Sequence, residues 1–258
     1  MKRVGVVALN TFREAVRDRV LYNLLFFALV MMAASIIAGQ ISIGIEDIVI
    51  VTLGLSAISL IGLLIAVFIG VGLVSKEMDK RTLYAVLAKP VRRWEFLLGK
   101  FGGLVLTLAV NTVAMGLGLF LAVWYVKSGF GPADATIFVA VYFIWLKLAL
   151  VVALALLFSC FTTPLLAILF TAGIYIVGLY VQELRDLPTE VMSPVMSAFT
   201  KWLSYLLPNF ENFNVMAQAA HGKQVPGALI AHNTLYAVIY CAIVLAAAMM
   251  VFSRRNLK

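Results

Sequence analysis

The sequence predicts an all-α integral membrane protein with six transmembrane helices, and three observations carry that expectation. Hydrophobic residues make up 64% of the 258 positions and charged residues 12%, against about 45–50% and about 25% in soluble domains. Six apolar runs, over 21–43, 48–74, 96–126, 136–158, 164–181 and 228–252, reach the roughly 20 residues that cross a hydrocarbon core about 30 Å thick. Lys and Arg are also unequally shared between the loops. Fifteen lie before the first run, between the second and third or in the opening turns of the third, or after the sixth; four lie on the other side, and Lys147 stands deep inside a run. The positive-inside rule then puts both termini in the cytoplasm of a multi-pass protein of the inner, cytoplasmic membrane. A net charge of +8 distributed in this way reads as topology, not as a nucleic-acid footprint. The chain is expected to form one membrane domain over 1–258, with an elbow over 1–19, a cytoplasmic loop over 75–95 and an extracytoplasmic segment over 182–227.

The first element, "VGVVALNTFREAVRDR", repeats Val4, Ala8, Phe12, Ala15 and Val16 on one face and Asn10, Arg13, Glu14, Arg17 and Asp18 on the other, the pattern of an amphipathic helix lying in the membrane interface. No cleavable signal peptide is expected, because the apolar run that follows is too long for one. The second run carries Gly62, Ala66 and Gly70, and the third opens with Gly99 and Gly103. Small residues four apart let helix backbones approach closely, within one subunit ahead of a dimer seam. Between these runs "KEMDKRTLYAVLA" can continue as helix, with Leu83, Val86 and Leu87 on one side. Pro90 disfavours helix at Lys89, and a new helix starts near Arg93 with Trp94 at headgroup level. The fourth and fifth runs are continuous in hydropathy except at "SCFTTP", where a Pro and hydroxyl residues predict a tight turn. In the external segment Val195, Phe199, Trp202, Leu203 and Leu206 form a stripe between Pro194 and Pro208. "ENFNVMAQAAHG" predicts a second short helix ended by Gly222. These helices are expected to be interfacial or re-entrant and to cap the outer side.

Chemistry is sparse. "LLGKFGG" has a Gly-Lys pair without the upstream Gly or the following hydroxyl of a phosphate-binding loop, so no nucleotide site is expected in this chain. Asp134, Asp186 and Glu190 stand apart, which predicts no metal site. Cys160 and Cys241 read as small buried hydrophobes. "GLSA" around Ser56, with His232 near the outer end of the last run, loosely resembles the rhomboid intramembrane proteases. Ser56, however, is on the second run and precedes Ala57, where that family has its serine on the fourth, followed by Gly. Lys147 is the single charge deep in a run, and an intramembrane ionisable group is by default a candidate functional site. Asn111 on the third run is its expected neutral partner, and both are candidates for lining a translocation path.

Taken together, the amphipathic "NTFREAVRDRVLY", the six runs, and a loop holding Glu77, Thr82-Leu83, Pro90-Val91, Arg93 and Gly99-Lys100 resemble the permease subunit of type 2 ABC transporters. The particular likeness is to the branch that includes the permease of the nitrous-oxide reductase maturation system, and it covers nearly the whole chain. The resemblance implies that the loop forms a coupling helix docking into a separate ATPase, through Thr82, Leu83, Val86 and Leu87, with Glu77 anchoring its base and Pro90 and Arg93 closing it. It implies no cofactor in this chain, ATP and Mg in the partner, and a lesser contact at "SCFTTP". Six spans are half the usual complement, so a second copy or a sibling permease and two ATPase subunits are implied, in contact with membrane lipids. Export is the implied direction. The alternative is a mechanotransmitter that passes ATPase motion through 182–227 to an extracytoplasmic partner without moving a substrate.

Overall fold

The computed structural model describes residues 2–42, 44–79, 92–127, 129, 131–186 and 194–254. Its helices are α1 (Lys2–Val16), α2 (Arg19–Ile41), α3 (Glu46–Asp79), α4 (Arg93–Lys127), α5 (Thr136–Ser159), α6 (Pro164–Leu179), α7 (Val181–Asp186), α8 (Pro194–Leu206), α9 (Met216–Ala220) and α10 (Gly227–Arg254). Short 3₁₀ turns occupy Pro132–Ala135 and Glu211–Phe213. No strand occurs among the described residues.

Each apolar run became helix, and two helices continue well past the apolar stretch. The third helix extends to Asp79 and the fourth begins at Arg93, because backbone hydrogen bonding does not stop where hydropathy does. Among the described residues four helices, α3, α4, α5 and α10, are long and apolar enough to cross a membrane. Four of the six expected runs thus meet this measure among the described residues. α2 is helical over the 23 residues Arg19–Ile41, and α6 is shorter. With 16 residues, α6 rises about 24 Å, less than a hydrocarbon core of about 30 Å.

Sequence explains which helix is central. Residues 146–156 of α5 are buried without interruption, as a helix apolar on every face can be when protein surrounds it. It packs on α3, α4, α10 and α6, while α2 lies against α3 and α1 against α4. The spaced glycines make these contacts close. A Cβ on Gly62 would meet the Leu148 side chain at 2.5 Å, and one on Gly70 the Ala155 Cβ at 3.4 Å. The Gly62–Gly70 spacing thus serves packing within the subunit.

Turns follow local chemistry. Gly44 takes φ +86° between α2 and α3, a conformation that favours glycine. At "SCFTTP" the Thr162 N–H and Oγ1 both donate to the Phe158 carbonyl at 3.0 and 2.8 Å; Thr163 is extended and Pro164 opens α6. Gly222, at φ +64°, ends the turn after α9. In α8, Trp202 and Leu206 are exposed, so these two positions of the expected stripe face outward. The side chains of Val195 and Phe199 lie outside the described set. Cys160 and Cys241 are both buried.

Candidate functional site

One end of the bundle carries α1, the start of α4 and the last turn of α10; we call it the basic end. Of the expected ATPase-coupling residues, Thr82, Leu83, Val86, Leu87 and Pro90 lie outside the described residues, as does the Glu77 side chain. Arg93 is described, and its guanidinium points within the subunit: Nη1 donates to the Phe252 and Ser253 carbonyls at 3.1 and 2.9 Å. It thereby satisfies carbonyls that the end of α10 leaves without helical partners. The Arg92 N–H donates to Glu95 Oε2 at 2.9 Å, the N3-to-Ncap half of a capping box that starts α4 at this point. Phe96 and Phe252 stack at 6.2 Å.

Two turns further along α4, Lys100 is buried, with Nζ 3.4 Å from Glu14 Oε2 and 5.8 Å from the centroid of the Phe96 ring. The glycines flanking it let α1 approach. Cβ atoms on Gly99 or Gly103 would collide with Val7, and with the Ala8 carbonyl and Thr11 respectively. The base of α4 is thus fastened to α1 by an ion pair and backbone contact, and to α10 by Arg93. Sequence reasoning saw the Gly99–Gly103 spacing without its partner. The opposing small Ala8 and acidic Glu14 on the amphipathic helix were the available signal.

Toward the other, far end, Lys147 is buried between helices. Its Nζ donates to Ser59 Oγ on α3 at 2.7 Å and lies 5.9 Å from the Tyr175 ring centroid on α6. The expected partner Asn111 is a correction: its Nδ2 donates to the Thr107 carbonyl of its own helix at 3.0 Å, because a short amide on a helix reaches the i−4 carbonyl more readily than a neighbouring helix. Ser59, one of many hydroxyls in apolar helices, gave no sequence signal.

Above Lys147 the chain between α8 and α9 closes the far end. The Phe210 N–H donates to the Gly178 carbonyl at 2.9 Å and the Asn209 N–H to the Tyr236 hydroxyl at 2.9 Å. The Tyr175 and Phe210 rings lie 5.0 Å apart, and Phe213 meets Phe143 edge-on at 6.4 Å. Gly178 is the residue that permits this, since a Cβ there would strike Phe210 and the Pro208 carbonyl at 2.6 Å. Ser56 Oγ meets the Met216 thioether at 3.8 Å, and His232 is exposed on α10. Among the described contacts the serine meets a sulfur in place of the imidazole that a serine hydrolase requires. On the rim, Lys127 Nζ reaches Asp134 Oδ1 at 2.8 Å and Asp47 Oδ2 at 3.2 Å. Asp134 Oδ2 accepts the Gly131 N–H at 2.8 Å. Burial opposes the charged form of Asp134, yet Lys127 and this N–H together hold its carboxyl below the usual carboxylate value.

Long apolar helices, charges paired inside the protein and a braced helix base define a multi-pass membrane protein. Residues 6–257 match the family model described as ABC-2 family transporter protein. The chain belongs to that family, and is accordingly the permease subunit of an ABC transporter, a family that implies an ABC ATPase partner. No curated protein matches the chain.

Proposed function

We propose that this chain is the membrane-spanning half of an ATP-driven exporter of the cytoplasmic membrane, with six spans and both termini cytoplasmic. It pairs with a second copy or a sibling permease and binds two ATPase subunits through the loop after α3. Within the family, the nitrous-oxide reductase maturation branch is the particular likeness. The family match over residues 6–257 carries this reading. Supporting it, α3 and α4 have 34 and 35 residues and so rise about 51 and 52 Å, roughly 20 Å more than the hydrocarbon core requires. Force applied to residues 80–91 passes directly into both helices. The ties from Arg93 to α10 and from Lys100 to α1 let the base of α4 carry those elements with it. ATP binding in the partners moves the two loops and changes access to a path between the permeases.

The test is affinity purification of the tagged chain from its native membrane in mild detergent, followed by mass spectrometry and an ATPase assay. A stoichiometric P-loop ATPase is expected, with Leu83→Asp lowering its recovery about tenfold while the chain still inserts; a single buried charge at a docking contact has that effect. Undiminished recovery would remove residues 80–91 as the docking loop. Absence of any ATPase under several gentle conditions would overturn the reading as a whole.

A further inference from the structure

A cleft between α4, α5 and α10 belongs neither to the braced base nor to the closed far end. It holds about 270 Å³, and its walls include Phe101, Trp145, Ala149, Val238, Ala242 and Leu245. Val238 and Ala242 are exposed, so it opens on the outer, lipid-facing flank of the bundle. From Ala237 to Leu245 it is about 12 Å tall along α10. Aromatic residues at the two ends of α4 fix its depth. Trp94 and Trp124 are both exposed and stand about 45 Å apart along the helix, the separation of the two headgroup regions. Ala109 is midway between them. Phe101 and Val105 therefore put the cleft in the half of the membrane nearer the basic end, where one leaflet's hydrocarbon is about 15 Å deep.

The chemistry of the walls selects an occupant. They are hydrocarbon apart from Trp145 and Cys241. The Trp145 indole N–H already donates to the Val105 carbonyl at 3.1 Å, and a thiol is a weak donor. Such a surface suits a guest with no polar groups. A helix segment 12 Å long and about 10–12 Å wide would occupy on the order of 1,000 Å³, several times what the cleft holds. One hydrocarbon chain is of the right width. Positive charge stands beyond the lower end: about 10 Å past Leu245 on α10, the Phe252 and Ser253 carbonyls receive the Arg93 guanidinium. Trp94, seven residues before Phe101, shares its face of α4, and Arg92 is exposed beside it. A neutral wall at hydrocarbon depth with cations at headgroup level complements an acyl chain that ends in a phosphate.

We propose that this cleft seats one acyl chain of a phospholipid from the leaflet at the basic end, with the phosphate beside Arg93. The chain covers the flank of α5 left open between α4 and α10, and the arginine that ties α10 to α4 also meets the headgroup.

The experiment uses the full chain in phosphatidylcholine nanodiscs doped with a phosphatidylglycerol that carries a diazirine in one acyl chain. After transfer to detergent and washing, the retained lipid is photo-activated and its adducts are mapped by mass spectrometry. Adducts are expected within 145–149 and 237–245, about fivefold or more above those on Ile37 and Leu169, which are as exposed as Val238. Ala242→Phe fills the cleft from an exposed position and should lower its adducts by about fivefold at an unchanged melting temperature; if that variant melts lower, Ala242→Leu decides. A diacylglycerol with the same labelled chain but no phosphate should label the cleft about fivefold less. Even labelling of Ile37, Leu169 and Val238 would mean ordinary lipid contact and overturns the seat, as do cleft adducts undiminished by filling or equal labelling by the diacylglycerol. Ready disulfide formation between copies carrying Val238→Cys, with Cys160 and Cys241 replaced by Ala, would give the face to a second copy and also overturns it. Neither ATPase nor nucleotide is needed, so failure here leaves the permease reading standing.

Discussion

The basic end and the far end both bring charge into an apolar bundle, and they do so in opposite ways. At the base of α4, Lys100 meets its carboxylate directly, α1 lies against the glycine backbone of α4, and Arg93 grips the end of α10. At the far end Lys147 meets the Ser59 hydroxyl and the Tyr175 ring. Contact pairing with backbone interlock makes a unit that moves as one body. A charge held by neutral groups beneath a loop makes a joint that can part. The proposed function, with force entering at one end, asks for both: stiffness there, and a low barrier where the far side opens.

The largest expected effect tests the stiffness. In Gly103→Val the new Cβ would meet the Ala8 carbonyl, which is backbone and cannot swing aside. The variant should lose about 3 kcal/mol or more, or fail to accumulate, read as a fall in the detergent melting temperature. Gly102→Ala is the control, since its Cβ would find only the Ala8 Cβ at 3.7 Å, and should melt as the parent. Equal melting of the two variants would break the picture of an interlocked base.

A smaller effect tests the charge pairing. Glu14→Gln keeps the shape of the pair and removes its negative member. Glu14 is 41% exposed while Lys100 is 2% exposed, so the attraction is partly screened, and a cost of about 1–2 kcal/mol is expected, below that of a fully buried pair. The loss should fall on α1, measured as faster amide exchange over residues 2–16 with α5 unchanged. Exchange that quickens evenly across the bundle would mean that α1 is no separate clamp.

How much of this could be read beforehand differs between the two ends. The amphipathic helix, the helix start at Arg93, the turn at Pro164 and the Gly62–Gly70 and Gly99–Gly103 spacings were legible, because each depends on chemistry within a few residues. Lys147 was legible as a lone charge in an apolar run. Its partner was not: Asn111 was expected where Ser59 stands, since apolar helices on every side give no phase from which to choose the facing residue. The direction of Arg93 toward α10 escaped for a related reason. A basic residue beside a loop reads as available to a partner until a second helix end is known to lie next to it. The attachment of residues 209–210 to α6 and α10 also escaped, being fixed by hydrogen bonds to Gly178 and Tyr236 that no local pattern announces.

The smallest expected effect sharpens the comparison at the far rim, where charges pair in contact as at the base but nearer to water. The folded Asp134 carboxyl is held below its ordinary value of 3.8. The unfolded chain therefore binds more protons than the folded one between the folded value and 3.8, and stability rises with pH through that window. The contribution is fully present above the unfolded value and is lost as pH falls through the folded one. Asp134→Asn should cost about 1 kcal/mol or less at neutral pH, since Lys127 keeps Asp47 at 3.2 Å. The gap in melting temperature between parent and variant should close as pH is lowered from about 5 toward 3. A gap that stays constant with pH would assign the loss to the Gly131 turn. In that case the far rim is held by backbone geometry, as the base is by its glycines, and its contact ion pairs contribute little.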